Sequence, residues 1–143
     1  MLVTFLKEDF KFCDDRGELI QLVHNGYRQI NYITAKKGCL RGGHYHKLNT
    51  EAFFVISGSF TLEVFKLGSQ EKKIYEIKPG DFFCIHPEVT HSFSFTEDTQ
   101  MISMYSLGVE LENGKKDILS INQLIYIYLM LLALIILFLL HLG

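Results

Sequence analysis

Turn signals interrupt residues 14–87 so often that no long helix fits between them. Asp14-Asp15-Arg16-Gly17, His24-Asn25-Gly26, Lys37-Gly38, Ser57-Gly58-Ser59, Leu67-Gly68-Ser69, Lys78-Pro79-Gly80-Asp81 and His86-Pro87 punctuate the chain, at spacings near the roughly 8–12 residues of sandwiches and small barrels. Strand-like runs lie between and beyond them, at 18–23, 27–35, 51–56, 60–66, 72–77, 82–85, 90–95 and 100–106. Several alternate with a period of two. Phe60, Leu62 and Val64 share one face and Thr61 and Glu63 the other, the pattern of a half-buried strand. Ser57-Gly58-Ser59 marks a tight hairpin. The expected class is all-β, a sandwich or small barrel.

A second feature divides the chain. All 14 Lys and Arg and all 16 Asp and Glu of the 143 residues fall within 1–117. From Leu124 to Leu140 every residue is apolar or Tyr. As a helix those residues would rise roughly 25 Å, close to the hydrocarbon core once flanks are added. With Lys115 and Lys116 before it, the tail predicts a C-terminal transmembrane helix anchoring a cytoplasmic domain. A buried oligomerisation helix or an unselected reading-frame extension are the competing accounts. Met1 to Phe12 carries Lys7, Glu8, Asp9 and Lys11 and does not read as a signal peptide. Glu110 to Asp117 is polar, with a turn at Asn113-Gly114. The expected organisation is a domain over 1–110, a linker over 111–117 and the apolar tail over 118–143.

Composition narrows the chemistry. The net charge is −2 and the pI is near 6.3, so no basic excess exists to neutralise phosphates and nucleic acid is not an expected partner. Hydrophobic residues make up 48% of the chain, which rules out disorder over its whole length. Cys13, Cys39 and Cys84 are odd in number and lack Cys-x-x-Cys spacing, arguing against a disulfide framework or a four-cysteine zinc site.

His44 and His46 are two apart, so on an extended strand both rings leave one face. Glu51 opens the next apolar run, and His91 shares a face with Phe93 and Phe95. Three imidazoles and a carboxylate suit a divalent transition metal such as Zn, Mn, Fe or Ni. The wider pattern adds specificity. Gly38-(x5)-His44-x-His46-(x4)-Glu51-(x6)-Gly58 resembles the first motif of the cupin superfamily (RmlC-like cupins). Lys78-Pro79-Gly80-Asp81, Pro87 and His91 resemble the second, with His86, Glu88 and Phe95 in place of its usual Pro, Gly and Asn. The resemblance covers about 27–106 and implies a double-stranded β-helix, a jelly-roll barrel with the metal inside. It also implies a homodimer, with Leu2–Phe12 crossing to the partner.

Arg41-Gly42-Gly43-His44-Tyr45-His46-Lys47 resembles the WxcM-like sugar-nucleotide 3,4-ketoisomerases, which commonly carry Gln at the place of Glu51 and work without a metal. Glu51 itself, and the stretch Tyr105 to Gly114, resemble the metal-binding C-terminal cupin of capsular-polysaccharide UDP-sugar enzymes. Both groups act on 4-keto-6-deoxy nucleotide sugars. The resemblance therefore implies an isomerase or epimerase of such sugars in surface polysaccharide biosynthesis. His46, or His44, would be the base, Tyr32 a proton donor, and Arg41 a partner for substrate phosphate. A non-catalytic sugar-binding or sensory cupin and a metal-dependent oxygenase are the alternatives.

Overall fold

The computed structural model describes residues 1–121. Its strands are β1 (Val3–Phe5), β2 (Phe10–Asp14), β3 (Gly17–Gln21), β4 (Gln29–Ala35), β5 (Leu40–Tyr45), β6 (Glu51–Ser57), β7 (Phe60–Lys66), β8 (Lys72–Ile77), β9 (Phe82–Ile85), β10 (Val89–Phe95), β11 (Thr99–Tyr105) and β12 (Leu119–Ser120). One five-stranded sheet has the order β1-β9-β6-β11-β4 and a second β12-β5-β10-β7-β8, while β2 and β3 form a separate hairpin. Every pairing is antiparallel. The all-β expectation is met by a two-sheet, cupin-type sandwich.

The core lies between the sheets and follows the period-two patterns. Phe60, Leu62 and Val64 point inward and are fully buried. They meet Phe53, Val55, Phe83, Ile85, Phe93, Phe95 and Met101. Phe53 stacks on Phe83 with ring centroids 5.4 Å apart, and Phe60 meets Phe93 edge-on at 5.4 Å. A second apolar cluster includes Ala52, Phe82, Cys84 and Met104, with Leu6, Leu22, Tyr27 and Phe54 packed against it. The central strand β6 thus carries residues of both clusters, Phe53 and Val55 in one and Ala52 in the other.

One expectation about the C-terminal part is corrected. At the end of the stretch expected to be a linker, Asp117 is 3% exposed and its N–H donates to the Val109 carbonyl at 2.9 Å. The segment expected to begin a transmembrane helix instead enters the second sheet, where Leu119 pairs with Tyr45 and Ser120 with His44. The open edge of β5 offers unpaired backbone groups there, and a strand satisfies them. Among the described residues no helix is long and apolar enough to cross a membrane. The apolar run from Leu124 to Leu140 lies outside the described residues.

Candidate functional site

β5, β6, β10 and the start of the loop after β5 bring four side chains together inside the sandwich. The register pairs His91 with His44 and Glu51 with Tyr105. One ligand-capable atom from each of His44, His46, Glu51 and His91 lies within 4.8 Å of all the others. The rings nest edge to face, His44 against His91 at 4.7 Å and against His46 at 5.2 Å. His46, Glu51 and His91 are buried, and His44 is half-buried.

Backbone carbonyls settle the ring tautomers. His46 Nδ1 lies against the Asp117 carbonyl oxygen and His91 Nδ1 against that of Val89 at 3.2 Å. A carbonyl only accepts, so both Nδ1 atoms donate and the neutral rings turn Nε2 lone pairs inward. There they face Glu51 Oε2, at 3.2 Å from His46 Nε2 and 3.4 Å from His91 Nε2. Among the described residues none of these three buried atoms has a hydrogen-bond partner. Three acceptors converging without a donor require positive charge between them, supplied by a cation or by protons.

The electrostatics agree with that demand. Burial pushes the Glu51 carboxyl up, but the facing His46 and His91 rings outweigh it and hold it at about 2. Burial pulls His46 down, yet Glu51 and the Asp117 carbonyl leave it raised. His44 is lowered to about 4, first by burial and then by the neighbouring His91 and His46 rings. It is neutral at pH 7. The donor set and the orphaned atoms fit a divalent transition metal, consistent with the expectation from residue types.

The remaining expected residues divide. Arg41 lies on β5, exposed, its Nη1 donating to the Thr34 carbonyl at 3.4 Å. Tyr32 is not brought to the cluster. On β4 Asn31 and Ile33 are partly buried, whereas Tyr32 is 61% exposed. Tyr105, not expected at the site, lies beside it, 8% exposed with its ring 5.3 Å from that of His46. Burial and the Glu51 carboxylate push its phenol upward, so it stays protonated. Period-two reading of β11 opposite Glu51 would have found it. Cys39 is exposed and free, and His86 is occupied by the Thr4 hydroxyl at 2.8 Å.

Glu88, in the position where the resembling motif has Gly, adopts a left-handed φ of 64°. Its N–H donates to the His46 carbonyl at 2.7 Å, so the turn keeps its shape and braces the ligand-bearing segment despite the side chain.

A family model described as the polysaccharide biosynthesis C-terminal domain matches residues 12–117. A UDP-2-acetamido-2,6-beta-L-arabino-hexul-4-ose reductase of Pseudomonas aeruginosa is 38% identical over 63 residues, which cover 39% of this chain and only 17% of that protein. Among solved structures, a double mutant of the QdtA 3,4-ketoisomerase from Thermoanaerobacterium thermosaccharolyticum, in complex with TDP, has a TM-score of 0.61 and 27% identity, covering 73% of this chain and 79% of that one. The capsular polysaccharide assembling protein CapF of Staphylococcus aureus has a TM-score of 0.58 and 21% identity, over 82% of this chain and 34% of that one. The dTDP-4-dehydrorhamnose 3,5-epimerase of Sulfolobus tokodaii has 0.57 and 20%, over 73% and 75%. The last two likenesses show the fold alone.

Proposed function

From the premise that this chain belongs to the polysaccharide biosynthesis C-terminal domain family, we propose that its barrel moves a proton at a carbon beside the ketone of a 4-keto-6-deoxy nucleotide sugar. The observation that carries this reading is the convergence of His46 Nε2, His91 Nε2 and Glu51 Oε2, buried and unpartnered, beneath a neutral His44. The TDP bound by the QdtA ketoisomerase supports the substrate class.

His46, His91 and Glu51 would hold the metal, since theirs are the orphaned atoms; three protein ligands are the usual number in an open catalytic site. When bound, a divalent cation polarises the ketone oxygen and stabilises the enediolate charge. His44 is the residue of the four left half-buried, with a lone pair free at pH 7 to accept the carbon-bound proton. Tyr105, protonated and facing the same space, hands a proton back. Return to the same carbon from the other face gives an epimer; return to the former carbonyl carbon, with the neighbouring hydroxyl's proton passing to the former ketone oxygen, gives the isomeric ketone. Either way the reaction is redox-neutral. Arg41 at the rim offers its guanidinium to the diphosphate.

The test is deuterium exchange. The full chain is incubated in D2O with TDP- and UDP-linked 4-keto-6-deoxy sugars, and label at the carbon beside the ketone is read by mass spectrometry. His44→Ala is expected to keep its metal and lose exchange by roughly 10²-fold or more, whereas His91→Ala loses both. A wild-type chain that exchanges none of the panel overturns the reading.

The two tyrosines give a sharper contrast. Tyr105→Phe should slow turnover by roughly 10²-fold, the scale of a general acid, and Tyr32→Phe should leave it within about twofold, since a surface substitution away from the site perturbs little. Loss in Tyr32→Phe with Tyr105→Phe unaffected would return the proton-donor role to Tyr32.

A further inference from the structure

The segment after β11, expected to be a linker, touches the site more intimately than its composition suggests. Asp117 accepts from the N–H groups of Lys47 at 2.9 Å, Leu48 at 3.0 Å and Asn49 at 2.9 Å, and from Asn49 Nδ2 at 2.7 Å. Asn49 extends the network. Its Nδ2 also donates to the Gly108 carbonyl at 2.9 Å, and its Oδ1 accepts from the N–H groups of Leu107 at 2.9 Å and Gly108 at 3.1 Å. Both side chains are buried, Asn49 at 1% exposure. Three pieces of chain distant in sequence are therefore tied together directly behind His46. The backbone carbonyl of Asp117 itself receives the His46 Nδ1–H.

We propose that Asp117 and Asn49 form a latch that positions His46: the buried carboxylate fixes the main chain at 117 so that its carbonyl holds the Nδ1 proton and presents the Nε2 lone pair to Glu51 and His91. Asp117 is a positioning residue. It reaches no substrate and acts through the ring it orients. The next residues reinforce it, because β12 pairs Ser120 with His44, so one strap braces both histidines of the His-x-His pair. A carboxylate suits the latch better than a neutral group because four donors converge on two oxygens. Partners behind a metal-ligating histidine commonly alter metal affinity by about 10–100-fold.

The inference rests on His46 belonging to the site proposed above, and its test separates the two. The full chain, labelled with 15N-histidine, is examined without metal for a solvent-protected His46 Nδ1–H resonance, and then titrated with Co²⁺ alone. The wild type should show the resonance. Asp117→Ala should lose it and bind Co²⁺ about 10–100-fold more weakly. Asp117→Asn, which keeps one acceptor oxygen but sets an amide donor against the remaining N–H groups, should weaken the resonance and Co²⁺ binding to a degree between the wild type and Asp117→Ala. Ser106→Ala removes a different brace of the same loop, the hydroxyl that accepts from Thr50 N–H at 3.0 Å. It should lower the melting temperature while leaving both ring signal and Co²⁺ affinity intact.

A folded Asp117→Ala chain with wild-type resonance and affinity overturns the latch. So does Ser106→Ala weakening Co²⁺ as much as Asp117→Ala does, since the effect would then be general loosening. Should Asp117→Ala fail to fold, the wild-type spectrum still decides: a His46 ring lacking its proton at Nδ1 overturns the proposal. Absence of Co²⁺ binding in the wild type would count against the metal site, while the resonance continues to judge the latch.

Discussion

Glu51→Gln is expected to abolish stable metal binding and to lower proton exchange on the sugar by about 10³-fold, while the metal-free barrel stays as stable as before or gains stability. The asymmetry follows from what the carboxylate faces. His46 Nε2 and His91 Nε2 lie 3.2 and 3.4 Å from Glu51 Oε2, and all three are unpartnered acceptors. A carboxamide of the same shape brings two N–H donors to those lone pairs. It removes the buried charge and satisfies the polar groups that the native residue leaves open. The same donors then occupy the lone pairs a cation would need. Metal content of the full chain, purified without a metal-binding tag, and thermal unfolding of the metal-free form check both halves. A glutamine variant that still holds one equivalent of metal would remove Glu51 from the ligand set. One that loses metal yet keeps turnover would show that the imidazoles suffice.

Gly42→Ala is expected to destabilise the domain by at least about 3 kcal/mol, while Gly43→Ala costs only about 1 kcal/mol. Both glycines have positive φ, 90° and 72°. A left-handed backbone disfavours any L side chain, which accounts for the smaller effect. They differ in their surroundings. A Cβ at Gly42 would stand 2.5 Å from the His91 carbonyl oxygen and 3.0 Å from Ser92 Cα, whereas at Gly43 no atom of the described residues lies within 4 Å. The clash is with backbone, at the point where the pairing of β10 with β5 shifts register between His91 and Ser92. A side chain here must push β10 away from β5 and carry His91 with it, so metal affinity should fall with stability. Chemical denaturation of both variants, with Co²⁺ titration of whatever remains folded, reads the two effects together. Equal loss at both positions would mean that backbone conformation, and not close approach, governs this stretch.

Much of the sandwich was legible because alternation is a direct consequence of half-burial. Phe60, Leu62 and Val64 on β7, and His91, Phe93 and Phe95 on β10, lie on the faces that their spacing predicts. Of the four-residue cluster, alternation put only His44 and His46 on one face; Glu51 and His91 joined them through the resemblance to the two cupin motifs. Part of what escaped had no period to betray it. β1 is three residues long and β12 two, too short for alternation to register. Tyr32 was misplaced because β4 presents polar and apolar side chains to both faces, Asn31 and Ile33 inward, Ile30 and Tyr32 outward. Asp117 was hidden by its position in a polar run. Its one signal was to be the last charge before a stretch of chain without any, and that reads equally well as the end of a domain.

The first and last strands of the sandwich have a consequence for how it is made. Val3 of β1 pairs with Ile85, and Leu119 of β12 with Tyr45, so each outer strand waits for a partner made long before or long after it. Such distant pairings close large loops and slow folding. On a nascent chain emerging from its N-terminus, β5 has no outer neighbour until residue 120 has appeared. For that interval the strand that carries His44 is a bare edge, able to pair with another chain. The segment that finishes the site during synthesis is thus also the one that withdraws its most exposed edge from aggregation.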